Sequence, residues 1–123
     1  MPKKKILAVD DEVEMLSLLE KRLLASGYEV FTATNGKDGI KHVKKGSVDL
    51  VILDIKMPEM DGIEVLKKIH EIDKNIVVIM LTAYGTLGTA REAMRLGAYD
   101  YITKPFDNEF VTAMVKEGLE SAG

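Results

Sequence analysis

The chain contains no cysteine, and that one absence removes thiol catalysis, cysteine-ligated zinc, iron–sulfur clusters and disulfides. Histidine is nearly as scarce. Only His42 and His70 are present, 28 residues apart, a separation that matches no metal-ligand spacing. Long apolar runs are missing too: the longest uncharged one, Ile76 to Leu81, has six residues, whereas a membrane-spanning helix needs about 18. No signal peptide or lipidation motif opens the chain, so a cytoplasmic protein without membrane contact is expected. Nor is there an excess of positive charge. With 17 Lys and Arg against 20 Asp and Glu, the net charge is −3, which argues against direct nucleic-acid binding. Lys3, Lys4 and Lys5 are too short a run to form a basic arm and read as a solvated flank. The absence of glutamine and the three asparagines fit a heat-adapted source, while seven methionines argue the other way.

What remains is 46% hydrophobic and 30% charged over 123 residues, the mix of one domain with one core, expected to span residues 1–123. Short apolar runs recur with amphipathic stretches between them, the alternation of βα units around a parallel sheet. Ile6–Val9, Leu50–Leu53 and Ile76–Leu81 are continuously apolar and predict central strands covered on both faces. Val30–Ala33 and Tyr99–Thr103 are interrupted by polar groups, which suits edge strands.

Five helical segments lie between and after the strands. Asn35 and Asp61 are placed as N-caps, the latter with Glu64 in a capping-box spacing, and Gly27 should stop the first helix. Inward-facing stripes are expected from Met15, Leu18, Leu19 and Leu23 in the first helix and from Ile63, Leu66, Ile69 and Ile72 in the third. The fifth should bury Phe110, Val111, Met114, Val115 and Leu119. The fourth segment, Leu87 to Leu96, has Gly88 near its start and mostly alanine on its inner side, so it should be the least firmly held.

The residues directly after the apolar runs carry the chemistry. Asp10 and Asp11 follow the first strand, Asp54 the third, Thr82 the fourth and Lys104 the fifth. In a parallel sheet all strand carboxyl ends share one edge, where open α/β folds bind ligands. Spacing therefore predicts a cluster of three carboxylates, one hydroxyl and one ammonium. Three carboxylates repel unless a cation joins them, and an all-oxygen set with few protein ligands suits Mg²⁺, which also accepts phosphate oxygens. Thr82 and Lys104 supply the donor and the positive charge that a phosphoryl group needs. Each residue also has a plainer reading. Asp11 could cap the first helix within Asp11-Glu12-Val13-Glu14, Thr82 could be an ordinary strand end, and Lys104 a surface lysine. Asp54 is harder to explain away, because the next helix starts only near Asp61 to Gly62 and a carboxylate ending an Ile/Leu run needs a reason. The Lys104–Pro105 bond is expected trans from base rates, with cis as the alternative that would fix the direction of the lysine.

Ala8-Val9-Asp10-Asp11, Leu53-Asp54-Ile55-Lys56-Met57-Pro58-Glu59-Met60-Asp61-Gly62, Leu81-Thr82-Ala83-Tyr84-Gly85 and Tyr101-Ile102-Thr103-Lys104-Pro105-Phe106 together resemble the receiver domain of bacterial two-component response regulators. The likeness covers Lys4 to about Leu119, with all motifs in order. It is similar both to phosphorelay and chemotaxis receivers and to receivers of enhancer-binding activators.

The resemblance implies a flavodoxin-like, doubly wound five-stranded parallel sheet in the order 2-1-3-4-5 with five helices. It implies that Asp54 is the phosphoacceptor, taking its phosphoryl group from a sensor histidine kinase or a phosphotransfer protein. Asp11, Asp54 and the Lys56 carbonyl would ligate Mg²⁺, for which Mn²⁺ can substitute, with Asp10 reaching it through water. Thr82, the Ala83 N–H and Lys104 would hold phosphoryl oxygens. Tyr101 would swing inward as Thr82 moves, reshaping the surface of the fourth helix, fifth strand and fifth helix. By similarity to phosphorelay receivers, Met15, Leu18, Pro105 and Phe106 would form a kinase-docking patch. Lys56 and Tyr84 occupy positions that tune loss of the phosphate, and their bulk predicts slow autodephosphorylation.

These features describe a signalling module rather than a turnover enzyme, its only reactions being its own phosphorylation and dephosphorylation. It would act on a downstream effector protein or a fused output domain, as a monomer or a phosphorylation-dependent dimer. A Mg²⁺-dependent phosphohydrolase of the haloacid-dehalogenase type also uses an Asp nucleophile but wants a second Asp two residues on, where Lys56 stands. A flavin binder would need a Ser/Thr/Gly-rich phosphate loop after the first strand, which is missing. A receiver that signals by binding alone, without phosphorylation, is the remaining alternative.

Overall fold

The computed structural model describes residues 3–83 and 87–122. Five strands, β1 (Lys5–Val9), β2 (Glu29–Ala33), β3 (Leu50–Asp54), β4 (Val77–Thr82) and β5 (Asp100–Thr103), alternate with five helices: α1 (Val13–Ala25), α2 (Gly36–Lys44), α3 (Gly62–Ile72), α4 (Leu87–Arg95) and α5 (Asn108–Ala122). The strands form one parallel sheet in the order β2-β1-β3-β4-β5. The three continuously apolar runs are its centre and the two interrupted ones its edges. The expected strands are in place, with ends shifted by one residue at most positions.

Strand side chains alternate between two faces, and the core divides accordingly. Leu7, Val9, Val51, Leu53, Val78 and Met80 pack on the side of α2, α3 and α4. Ile6, Ala8, Leu50, Ile52, Ile79 and Leu81 pack against α1 and α5. Each fully buried Leu or Ile contributes about 1.5–3 kcal/mol, so the sheet is held from both sides by comparable apolar layers.

The helix ends follow local chemistry. Asn35 accepts from the Asp38 N–H at 2.8 Å and Asp61 from the Glu64 N–H at 3.0 Å, as their cap spacing requires. After α1, Gly27 takes φ +96°, Gly27 N–H donates to Leu24 at 3.0 Å and Tyr28 N–H to Leu23 at 3.3 Å. Such a stop needs a left-handed residue, which glycine supplies without steric penalty.

Three inward assignments need correction. Leu18 is 60% exposed, Phe110 is 54% exposed, and Ile72 also faces water. In α1 the buried stripe is Leu16, Leu19 and Leu23, with Met15 half-buried at its edge. In α5 it is Val111, Met114, Val115 and Gly118. A helix turns 100° per residue, so the residue beside a true inward position still fits the period while lying outside the contact. The thin inner side expected of α4 is present: Ala90 and Ala93 are fully buried, and a Cβ added at Gly88 would meet nothing within 4 Å beyond its own helix among the described residues.

Candidate functional site

Parallel pairing brings the chemistry to one edge. Asp10 follows β1 directly, Asp54 and Thr82 are the last residues of β3 and β4, and Lys104 follows β5. The pairing extends past the ladders themselves. Ile55 N–H donates to the Leu81 carbonyl at 2.9 Å and Lys104 N–H to the Thr82 carbonyl at 2.8 Å. The lysine is thus set by sheet register rather than by a free loop.

Asp10 is 0% exposed, Asp54 and Thr82 are buried, and Asp11 lies at the surface. One carboxylate oxygen from each of Asp10, Asp11 and Asp54 lies within 4.8 Å of the others. Above them sits the Lys104 ammonium, 2.7 Å from Asp10 Oδ2 and 3.5 Å from Asp54 Oδ2, with its side chain 15% exposed. The contact with Asp10 Oδ2 is a close ion pair short of a directed hydrogen bond. Asp10 Oδ1 accepts from the Glu12 N–H at 2.9 Å and Asp54 Oδ1 from the Lys56 N–H at 3.2 Å, two tight turns that aim the other oxygen of each pair. The Thr82 hydroxyl donates to the Ala83 carbonyl at 3.2 Å.

The electrostatics follow from this crowding. Burial pushes the Asp54 carboxyl up from 3.8 to about 6, and Asp10 adds to the rise, while Lys104 and the Lys56 N–H oppose it. For Lys104, burial alone would lower the pKa. Asp10 and Glu12, followed by Asp54, outweigh it and raise the group above the ordinary lysine value. The donor set suits a hard cation: three carboxylates converge with no nitrogen or sulfur ligand among them, so a divalent ion with an oxygen shell fits.

Asp11 is not the helix cap. The N-cap of α1 is Glu12, whose side chain makes no cap bond, so Asp11 is left facing the cluster. The Lys104–Pro105 bond is cis, against the trans expectation. Lys56 is exposed at the start of a loop that Ile55 and Met57 bury into the core and that Gly62 closes, its N–H donating to the Ile55 carbonyl at 2.7 Å. A Cβ on Gly62 would lie 2.6 Å from the Ile55 Cα; only glycine allows this approach. Tyr101 is half-buried and packs on the α4 side of the sheet, paired in register with Met80. Met15, Leu18, Pro105 and Phe106 line one cleft of about 510 Å³ together with Glu12 and Lys104. Tyr84 lies outside the described residues.

One participant was missed. Glu12, noted in the sequence only as part of a capping pattern, places Oε1 2.8 Å from the Lys104 ammonium. Its position just beyond Asp11, at the same sheet edge, is the signal that could have found it.

Acidic residues and a lysine gathered at the carboxyl ends of a 2-1-3-4-5 sheet define an α/β phosphate-handling domain. Residues 6–116 match the family model of the response regulator receiver domain, and the chain belongs to that family, the phosphoacceptor signalling module of two-component systems. It is 44% identical over 119 residues to sporulation initiation phosphotransferase F of Bacillus subtilis, covering 97% of this chain and 96% of that protein. It is 41% identical over 114 residues to the transcriptional regulatory protein ZraR of Klebsiella oxytoca, covering 93% of this chain but only 26% of that longer protein. Among solved structures, a CheY-like receiver domain protein from Methanospirillum hungatei superposes with a TM-score of 0.94 at 32% identity, covering 98% of this chain and 97% of the other. Among the described residues, no helix is long and apolar enough to cross a membrane.

Proposed function

We propose that Asp54 is the phosphoacceptor of this receiver and that Asp10, Asp11, Thr82, Ala83 and Lys104 serve the transfer. The observation that carries this reading is the convergence of three carboxylates within 4.8 Å beneath the Lys104 ammonium. Asp54 is the buried carboxylate at the end of a central strand, and with its pKa at about 6 it is ionised and nucleophilic at neutral pH. Its attack on phosphorus places new negative charge beside Lys104, while Thr82 and the Ala83 N–H hold the remaining oxygens. Transfer of this kind needs positioning and charge neutralisation more than covalent help. Mg²⁺, or Mn²⁺ in its place, would be held by Asp10, Asp11, Asp54 and the Lys56 carbonyl, and when bound would neutralise phosphoryl charge.

The donor is a sensor histidine kinase or phosphotransfer protein, docking at the cleft of Met15, Leu18, Pro105 and Phe106. Leu18 stands out to solvent there, as a docking contact must. The phosphoryl charge then biases α4, whose inner face holds only small side chains, with Tyr101 as the side chain that follows the change. The readout is an effector protein or a fused output domain, by a monomer or a phosphorylation-dependent dimer, in the cytoplasm. The chain turns over no substrate beyond its own phosphorylation and dephosphorylation. Lys56, bulky, charged and exposed beside the acceptor, slows loss of the phosphate; a half-life of only seconds in the isolated protein would refute this.

Intact mass after incubation with acetyl phosphate tests the reading. A gain of one phosphoryl group that requires Mg²⁺ and disappears in Asp54→Ala is expected. No gain by the wild type would leave a receiver that signals by binding alone.

A further inference from the structure

The Lys104 ammonium has three N–H donors, and three carboxylates surround it: Asp10 at 2.7 Å, Glu12 at 2.8 Å and Asp54 at 3.5 Å. Two of these are buried and immobilised by their turns. The third, Glu12, is 62% exposed. Its backbone N–H is fixed on Asp10 Oδ1, yet its side chain does not cap α1 although it occupies the N-cap position. The carboxylate instead reaches across 92 residues of sequence to the lysine, at the rim of the cleft beside Lys104 and Ala83.

We propose that Glu12 is a positioning residue that competes with the incoming phosphoryl group for Lys104. The proposal rests on the reading of Asp54 as acceptor. When acetyl phosphate is the donor, an Asp54 oxygen forms a bond to phosphorus, the bond from phosphorus to the acetyl oxygen breaks, and acetate leaves with the electron pair. Glu12 makes no bond in that step. Its carboxylate holds the ammonium toward Asp10, nearer than Asp54, and adds a negative charge where an anionic donor enters. Asp10 cannot yield, because it is fully buried and an unpaired buried charge is costly. Glu12 can rotate into water, since its carboxylate is already 62% exposed and is hydrated as it leaves, whereas Asp10 would be left buried and unpaired. It is therefore the ligand that the phosphoryl oxygen replaces.

The test is the rate of phosphorylation by acetyl phosphate with Mg²⁺, followed by intact mass, for the wild type and for Glu12→Gln. Gln keeps the length and the backbone turn, so thermal unfolding should be unchanged. Uptake by Glu12→Gln should be about two- to fivefold faster at about 0.02 M salt, and the difference should shrink toward about 0.5 M as the charge is screened. A purely structural role would not produce that salt dependence. Glu12→Asp, which retains the charge, should stay nearer the wild type. Equal or slower uptake by Glu12→Gln, or a difference indifferent to salt, would overturn the proposal alone. Absence of uptake by both proteins would overturn the acceptor reading and the proposal with it.

Discussion

The Lys104 ammonium lies 2.7 Å from Oδ2 of Asp10, a carboxylate with no exposure to solvent. The lysine is the only basic side chain paired with this buried acid among the described residues. Replacing it with methionine leaves Asp10 and Asp54 facing each other without a cation. Lys104→Met should lower the stability of the metal-free protein by about 3 kcal/mol, as expected for breaking a buried pair. Urea unfolding in the presence of a chelator measures it, and a loss below about 1 kcal/mol would contradict the role given to the pair.

Asp54, the proposed acceptor, should make the metal-free protein less stable as the pH rises. Folded Asp54 titrates at about 6 against an ordinary 3.8, so the folded state holds the proton more tightly than the unfolded chain does. The favourable contribution of neutral Asp54 is complete below pH 4 and is lost as the pH climbs through 6, an effect of at most about 3 kcal/mol. Asp54→Asn removes the ionisable group. Its stability should exceed that of the wild type at pH 7.5, and the two should converge near pH 4, as urea midpoints across this range would reveal.

Substitution of Asp11 should separate the proposed metal binding from folding. It is exposed and contributes an oxygen to the cluster, while no described ion pair with a basic side chain involves it. Asp11→Asn should leave metal-free stability within about 0.5 kcal/mol of the wild type, as surface changes usually do. If the cluster holds Mg²⁺ as proposed, the added ion should raise wild-type stability by about 2.7 kcal/mol at a hundred times its dissociation constant. In the variant the same concentration should give much less, and thermal melts over a Mg²⁺ series compare the two directly.

Gly62 is the position where backbone space, not side-chain chemistry, governs the site. A methyl group there meets the Ile55 Cα at 2.6 Å and the backbone carbonyl of Asp54. Gly62→Ala should destabilise the fold by about 1–3 kcal/mol, the usual effect of overpacking. It should also weaken Mg²⁺ binding, because the displaced loop carries Lys56. Calorimetric titration of a variant that remains folded at 15 °C would expose a wrong assignment by showing unchanged affinity.

The sheet was legible because strand character was written locally. Continuous runs such as Leu50–Leu53 have two buried faces, and Tyr99–Thr103, broken by Asp100, has one open side. The strand order was not legible from periodicity and came from resemblance. Leu18, Ile72 and Phe110 misled because a helical stripe is about 100° wide and its margins look like its middle. Asp10, Asp54, Thr82 and Lys104 could be placed together since parallel strands share an edge. The Glu12–Lys104 pair could not, because it depends on how two long side chains settle across distant parts of the chain.

Asp10 and Lys104 are separated by nearly the whole sequence, and their meeting depends on β5 being paired at the end of the row β1-β3-β4-β5. No local stretch of this chain brings the proposed acceptor Asp54 together with the Lys104 ammonium. A nascent polypeptide, a fragment ending before residue 104 or a misfolded copy presents aspartates but no ammonium, and should stay silent toward any phosphoryl donor. Labelling by a donor would then serve as a census of completely folded molecules, and the signal that the module passes on comes with its own proof of structural integrity.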